Sequence, residues 1–398
     1  MRQKIYRSRR SPYRRRAKKS QFKQIFIWIL VAAVIIPGSF FAAKWIDNNG
    51  KNLPAQGEPV ATTTTKVTTT TTVPPVVNAT QTLRGVYLPH TVLSDTKALA
   101  DIAKSIQADG FNSVVIELKD RSGKLLYASE TEAAKQAKAA TADAITLKAL
   151  TDAFAALKKA GLSPVPLLYA FEDATAPVTL PKAMVTLVGN PAGRWYDADP
   201  NNGGRPWLNP YADAAQAYIT ALAEELETAG AAAIMLDGVY FPTQILHADF
   251  KSGGDASLSE GEVLEGFMLR MDTVCEAPIL LRCDANAALG NNLGGYHKNP
   301  LSLGAQMVVV DACADSLGDT LIVEKEKLSV SDAAMSDIIS RLAGALKKRY
   351  EEQPAATRPS GAMCMSGDVD KQVSALLEQD KDGSYFVDGK TYTAEKAE

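Results

Sequence analysis

The sequence of 398 residues holds 43 Lys and Arg against 45 Asp and Glu, a net charge of −2 at pH 7. Eleven of the basic residues lie within residues 1–23, which contain no acidic residue, so the rest of the chain carries a net charge of about −13. An acidic domain binds nucleic acid poorly, and we expect no nucleic-acid partner.

Residues 25–43 contain no charged side chain, and nineteen residues in a helix can cross about 30 Å of hydrocarbon. The basic residues before this run predict a cytoplasmic tail over 1–23 by the positive-inside rule. We therefore expect a transmembrane signal-anchor helix over 24–44 that contacts membrane lipid, in a single-pass protein of the cell membrane. A cleaved signal peptide is the alternative, because small residues lie near position 43; both interpretations export the remaining chain.

Residues 45–82 have no apolar periodicity, and nine of the eleven positions from Thr62 to Thr72 are threonine. Such a composition has almost nothing to bury and is typical of a solvated spacer. It predicts a Thr/Pro-rich extracytoplasmic stalk.

Residues 83–398 alternate short apolar runs with segments of helical period, and this pattern predicts parallel βα units. Glycines 110, 161 and 230 each follow a helical segment and precede an apolar run, as expected where a helix ends and the chain returns to a sheet. We predict strands over Gly85–Leu88, Ser113–Leu118, Pro164–Tyr169, Ala232–Leu236, Ile279–Arg282, Met307–Val310, Ala362–Met365 and Tyr385–Val387.

Eight strands in one domain of this length predict an α/β fold, a (β/α)8 TIM-type barrel, irregular in its C-terminal half where the last two strands are short. An open doubly wound sheet is the alternative, but the sequence lacks the G-x-G-x-x-G loop of nucleotide-binding sheets.

Acidic residues follow the predicted strands, and in a barrel these positions line the active site. They are Glu117, Asp120, Asp173, Asp237, Asp284 and Asp311. Paired carboxylates of this kind perform glycosidic hydrolysis, one as acid and one as nucleophile or base. Each could instead cap a helix or form a turn. Asp237 differs, because the segment Gly238–Pro242 after it leaves no helix to cap.

The three histidines are scattered, and the four cysteines lack the spacing of metal ligands, so we expect buried free thiols and neither a metal nor a cofactor. No Gly-x-Ser-x-Gly motif supports a serine hydrolase. Trp207, Tyr240 and Tyr296 lie in the predicted rim loops and could stack on sugar rings, although Trp207 is more typical of a residue that packs its own loop.

Five segments form a recognisable series, namely Arg84–Leu88, Val115–Gly123, Phe171–Asp173, Pro206–Tyr211 and Leu236–Pro242. In order and spacing they resemble the bacterial family described as a putative glycosyl hydrolase domain, whose barrels are related to the α-amylase clan. The resemblance implies that Asp237 occupies the nucleophile's position, Asp284 that of the acid, and that Asp120 lines the same pocket.

Two positions depart from the family pattern. Tyr240 stands where the family usually has arginine, and Glu117 where it has aspartate. Loss of a positive charge near Asp237 would raise the pKa of Asp237. Two functions follow as hypotheses: a glycoside hydrolase acting on cell-wall or environmental polysaccharide or oligosaccharide, or an inactive barrel that binds glycan or scaffolds envelope proteins.

Overall fold

The computed structural model describes residues 82–392. The expected basic tail, the transmembrane helix over 24–44 and the stalk up to residue 81 lie outside the described residues. Within 82–392 no helix is both long and apolar enough to cross a membrane.

Eight parallel strands form the centre of the domain. They are β1 (Arg84–Tyr87), β2 (Ser113–Lys119), β3 (Ser163–Tyr169), β4 (Ile234–Asp237), β5 (Ile279–Asp284), β6 (Met307–Asp311), β7 (Ser360–Ser366) and β8 (Ser384–Asp388). Each strand pairs with the next along the chain, and β8 pairs with β1, where Arg84 lies opposite Tyr385. The closed barrel is therefore confirmed and the open sheet is wrong.

Six long helices surround the strands. They are α1 (Thr96–Ala108), α2 (Leu147–Lys159), α3 (Asp213–Thr228), α4 (Glu260–Val274), α5 (Met335–Glu351) and α6 (Val369–Gln379). The helix α4, which the sequence pattern did not predict, begins at a capping box in which Ser259 and Glu262 bond reciprocally. The last two strands, where the sequence predicted irregularity, are regular and fully paired. Between β5 and β6, however, the described chain has only the short helix Ala285–Ala288 and two 3-10 turns in place of a long helix.

Shorter elements decorate the barrel. Strands Leu125–Ala128 and Ala140–Thr146, with helix Glu132–Ala137 between them, extend the sheet beyond β2. Strands Thr186–Leu187, Asn190–Arg194 and Ala248–Asp249 form a small antiparallel sheet, and Thr320–Val323 pairs with Glu326–Ser329 as a hairpin. The short helices Ala176–Thr179 and Ala314–Leu317 lie in the loops after β3 and β6.

Alternate residues of the strands point inward and fill the barrel. Phe386 of β8 is fully buried there, which contributes roughly 1.5–3 kcal/mol. Opposite it, Gly85 of β1 has no side chain, and a Cβ at that position would overlap the Phe386 ring. All four cysteines are buried and free, as expected. Because the interior is filled by side chains, a ligand can enter only at the ends of the strands.

Candidate active site

A cavity of about 520 Å³ opens at the carboxyl ends of β4, β5 and β6. The last residues of these strands are Asp237, Asp284 and Asp311, and all three line the cavity. Five of the nine predicted site residues therefore share one space, namely Asp237, Tyr240, Asp284, Tyr296 and Asp311. The other four, Glu117, Asp120, Asp173 and Trp207, are not part of the cavity wall.

Arg282 occupies the centre of the carboxylate group. Its Nη2 lies 2.6 Å from Asp311 Oδ2, and its Nε lies 3.8 Å from Asp237 Oδ2. The guanidinium also stands over the Tyr87 ring, 5.8 Å from its centroid. Arg282 therefore neutralises part of the negative charge on the two strands that flank β5, and it holds Asp311 by a hydrogen bond.

Asp237 is the most perturbed acid of the cavity. Burial raises the pKa of its carboxyl group, while the charge of Arg282 and the backbone N–H of Gly238 oppose this rise. The Gly238 N–H donates to Asp237 Oδ1 at 2.5 Å. Asp237 caps no helix, in agreement with the sequence pattern, and its carboxylate lines the cavity with Gly238 as its backbone partner.

The Asp284 side chain is exposed to solvent and also caps a helix. Its Oδ1 accepts from the backbone N–H of Ala287 and caps the short helix after β5. The other carboxylate oxygen has no hydrogen-bond partner among residues 82–392 and remains open to solvent. Tyr296 lies beside it, since the Tyr296 hydroxyl accepts from the Asp284 backbone N–H at 3.4 Å.

Glu117 and Asp120 lie on the neighbouring strand β2 and its loop. The pKa of Glu117 is raised, first by burial and then by the charge of Asp120. Asp120 shapes the loop, because its Oδ1 accepts from the backbone N–H groups of Ser122 and Lys124 and from the Ser122 hydroxyl. Aspartate often stabilises turns in this way. Asp120, which the resemblance placed in the pocket, therefore holds its own loop and does not line the cavity.

Tyr240 belongs to a charged network on the rim. Its hydroxyl donates to Glu172 Oε2 at 2.6 Å, and Glu172 is also bound by Arg121 at 3.0 Å and by Arg205 at 2.9 Å. The Tyr240 ring packs edge-on against Tyr296, with centroids 5.4 Å apart. Tyr240, where the resemblance implied an arginine, is thus a hydrogen-bond donor to a buried carboxylate.

Two predicted substrate contacts lie away from the cavity. Asp173 is fully buried, 2.9 Å from Lys119 Nζ, and it accepts from two backbone N–H groups of its own loop. Gly123, with φ of +83°, packs against this carboxylate, and any Cβ there would overlap it. Trp207 is 5% exposed, and its Nε1 donates to Asp197 at 2.9 Å. Both side chains hold loops in position.

Arg282 and Arg121 line the cavity but were not predicted as site residues from the sequence. The signal for Arg282 was present: a single charge interrupts the apolar run Ile279–Cys283, on the same face of the strand as Asp284. Arg121 directly follows Asp120 and reaches the site only because the β2 loop turns over the barrel rim.

Part of the chain matches a known family of proteins. Residues 85–278 match the family described as "Putative glycosyl hydrolase domain". The resemblance seen in the sequence is thereby confirmed for this part of the chain, which extends from β1 to the start of β5. No curated protein sequence matches the chain.

Several solved structures are similar to the chain. A hypothetical protein from Ruminiclostridium thermocellum ATCC 27405 is 20% identical over 49% of this chain and 96% of its own, with a TM-score of 0.42. The endo-β-1,4-mannanase of Thermotoga petrophila is 10% identical over 79% of this chain and 68% of its own, with a TM-score of 0.48. The chitobiase of Flavobacterium johnsoniae is 10% identical over 72% of this chain, with a TM-score of 0.42, and the chain spans only 38% of its length.

Proposed function

We propose that residues 83–398 form a glycoside hydrolase that acts on cell-wall or environmental polysaccharide, and that residues 24–44 anchor it outside the cell. The observation that carries the enzymatic part is Asp237, a buried carboxylate with a raised pKa at the end of β4, open to a cavity that Asp284 shares. Family membership of residues 85–278 supports the same class of reaction.

Asp237 is the proposed nucleophile or base, and this role needs its ionised form. Burial works against ionisation, and Arg282 at 3.8 Å works for it. Asp311 holds the Arg282 guanidinium at 2.6 Å, so we expect Arg282 to keep its place when substrate enters. It would then continue to stabilise the ionised form of Asp237 during the reaction. Asp311 therefore acts through Arg282 and not on the sugar.

Asp284 is the proposed acid, because it lies on the adjacent strand with one carboxylate oxygen open to the cavity. Glu117 is a second candidate: it lies outside the cavity wall but close enough to Asp237 and Arg282 for their charges to act on it, and burial raises its pKa and thereby favours the protonated form that an acid requires. Tyr240, which is half-buried, offers ring surface at the cavity wall for contact with the apolar face of a sugar, and Tyr296, only 6% exposed, packs behind it.

The test is release of reducing ends from a panel of polysaccharides by the purified full-length protein. We expect Asp237→Asn to lower turnover by at least about 100-fold. Asp315→Asn is the matched control, since Asp315 is an exposed carboxylate on the same cavity wall, and it should keep turnover within a few-fold of the native value. Full activity in Asp237→Asn would reject the assignment.

A leaving-group experiment separates the two candidate acids. A substrate whose leaving group departs without a proton, such as a nitrophenyl glycoside, bypasses the acid. If Asp284 is the acid, Asp284→Asn loses activity on polysaccharide and retains it on the activated substrate, while Glu117→Gln does not show this contrast. The reverse pattern would assign the role to Glu117.

Binding without catalysis is the second candidate function, and the observation that favours it is that Arg282 already engages both Asp237 and Asp311. A glycan array would then show binding without turnover. In that case Tyr296→Ala should weaken binding and Asp237→Asn should leave it unchanged.

The location outside the cell rests on the charge asymmetry around residues 25–43. Alkaline phosphatase fused after residue 82 is active only when exported. We expect activity in this fusion and none when residues 24–44 are deleted. An inactive fusion with the complete N-terminal segment would place the barrel in the cytoplasm.

A further inference from the structure

Two thiols and a carboxylate meet where β6 and β7 end. Asp311 is the last residue of β6 and lies opposite Cys364 of β7 in the parallel register, and Cys313 follows two residues later. One ligand atom from each of the three lies within 4.8 Å of the others, and the two sulfurs are 3.7 Å apart. We call Asp311, Cys313 and Cys364 the thiol cluster.

The spacing of the sulfurs matches a tetrahedral metal ion. Two Zn–S bonds of about 2.3 Å at a tetrahedral angle place the sulfurs about 3.8 Å apart. A disulfide requires a sulfur–sulfur distance of about 2.05 Å, so its formation would need the two sulfurs, now 3.7 Å apart, to approach each other by well over 1 Å. The thiols are therefore placed for a shared ion without movement of the strands.

Asp311 can serve as the third ligand while it keeps its present partners. An ionised carboxylate offers about four lone-pair sites on its two oxygens. Arg282 uses one site on Oδ2, and the backbone N–H of Cys313 uses one on Oδ1 at 3.1 Å. Two sites remain, and Asp311 lines the cavity, which gives an ion a path from solvent.

Charge balance also permits a divalent ion in this largely buried position. On binding, each thiol releases one proton to solvent and becomes a thiolate, so that two positive charges leave as two arrive. The Arg282–Asp311 ion pair then experiences no net change in charge.

We propose that the thiol cluster binds a zinc ion through Asp311, Cys313 and Cys364. Two sulfurs select a thiophilic ion over Mg²⁺ or Ca²⁺, which prefer ligand sets made of oxygen alone. The fourth tetrahedral position is left for water or for the Tyr87 hydroxyl, which lies 3.8 Å from Cys364 Sγ. Such an ion would join β6 to β7. The ion would share Asp311 with the candidate active site, but its binding can be measured whether or not the cavity hydrolyses glycans.

The first experiment titrates Co²⁺ into full-length protein that has been reduced and freed of metal under anaerobic conditions. We expect one equivalent to bind with a thiolate-to-cobalt charge-transfer band and with the intense visible bands of a tetrahedral ion, and Zn²⁺ to displace it. Cys313→Ser and Cys364→Ser should each weaken zinc binding by more than about 100-fold, beyond the loss that outer-sphere changes cause. Cys275→Ser is the control and should bind as the native protein does, because Cys275 is also buried but lies outside the cluster.

The second experiment covers the case in which a serine variant fails to fold. X-ray absorption at the zinc edge of the loaded native protein should show two sulfur neighbours at about 2.3 Å. A first shell without sulfur, binding below a tenth of an equivalent, or a charge-transfer band that survives in both Cys313→Ser and Cys364→Ser would each overturn the proposal.

Discussion

The ion pair between Arg282 and Asp311 allows a direct test of how burial changes the contribution of a salt bridge to the free energy of unfolding. A second pair in the same domain, Arg270 with Asp213, has the same N···O distance of 2.6 Å. The side chains of the first pair are 10% and 14% exposed, whereas those of the second are 32% and 89% exposed. Replacement of each arginine by methionine keeps most of the apolar stem and removes the charge.

The two substitutions should lower the free energy of unfolding by amounts that differ several-fold. Removal of one partner from a buried pair leaves an uncompensated charge, which costs about 3–5 kcal/mol. Asp237 also loses its nearest cation in Arg282→Met, so the upper part of that range is expected. An exposed pair contributes about 0–1 kcal/mol, and Arg270→Met should stay within this range.

Urea unfolding of both variants, in the presence of a chelator, measures the difference. With a slope of about 3 kcal/mol per molar urea, Arg282→Met should shift the midpoint down by about 1 M or more, and Arg270→Met by less than about 0.3 M. Arg282→Met should also raise the pKa of Asp237 further, which would move the acidic limb of any activity profile to higher pH. Equal midpoint shifts in the two variants would refute the reasoning.

Three further predictions concern single side chains. Because burial raises the folded-state pKa of Asp237, its charged form opposes folding at neutral pH; Asp237→Asn should raise the melting temperature at pH 7, with a gain that shrinks as the pH falls toward about 3.9. Lys119→Met should cost about 3–5 kcal/mol in urea unfolding, because it leaves Asp173 charged and fully buried, and a loss below about 1 kcal/mol would contradict this. Tyr240→Phe should lower the free energy of unfolding by about 1.5 kcal/mol in the same measurement, because it removes a hydrogen bond to a charged group. This is the low end for such a bond, since two arginines still hold Glu172. An unchanged urea midpoint would show that water replaces the hydroxyl.

The strands could be predicted because each carries its own local signal. Apolar runs over Ser113–Leu118 and Met307–Val310 are short and rich in β-branched residues, and the structure extends each by a single residue. The helix α4 was missed because its start is marked by Ser259 and Glu262 within a long polar loop, where capping residues resemble turn residues. Barrel closure depends on the pairing of β8 with β1, some 300 residues apart, and no local pattern reports such a contact.

The position of the site could be predicted from the sequence, but the contacts between its side chains could not. Strand-end acids were expected to converge, and Asp237, Asp284 and Asp311 do share a cavity. Which of them holds a partner depends on side chains from other strands: Arg282 reaches Asp311 across 29 residues of sequence, and Cys313 meets Cys364 across 51. Spacing rules for metal ligands describe neighbours along the chain, so they could not show the thiol cluster.

The structure changes the interpretation of Tyr240, the residue that stands where the resemblance implied an arginine. From the sequence, Tyr240 implied that Asp237 had lost its cation and that its pKa would rise for that reason. The pKa is raised, but burial is the largest cause, and Arg282 and Arg121 both lower it. Asp237 therefore keeps positive charge on two sides, and Tyr240 is used to bind Glu172. Arg121 also lies within hydrogen-bond reach of the Tyr240 hydroxyl, at 3.5 Å, so the positive charge near position 240 comes from another loop of the barrel rim.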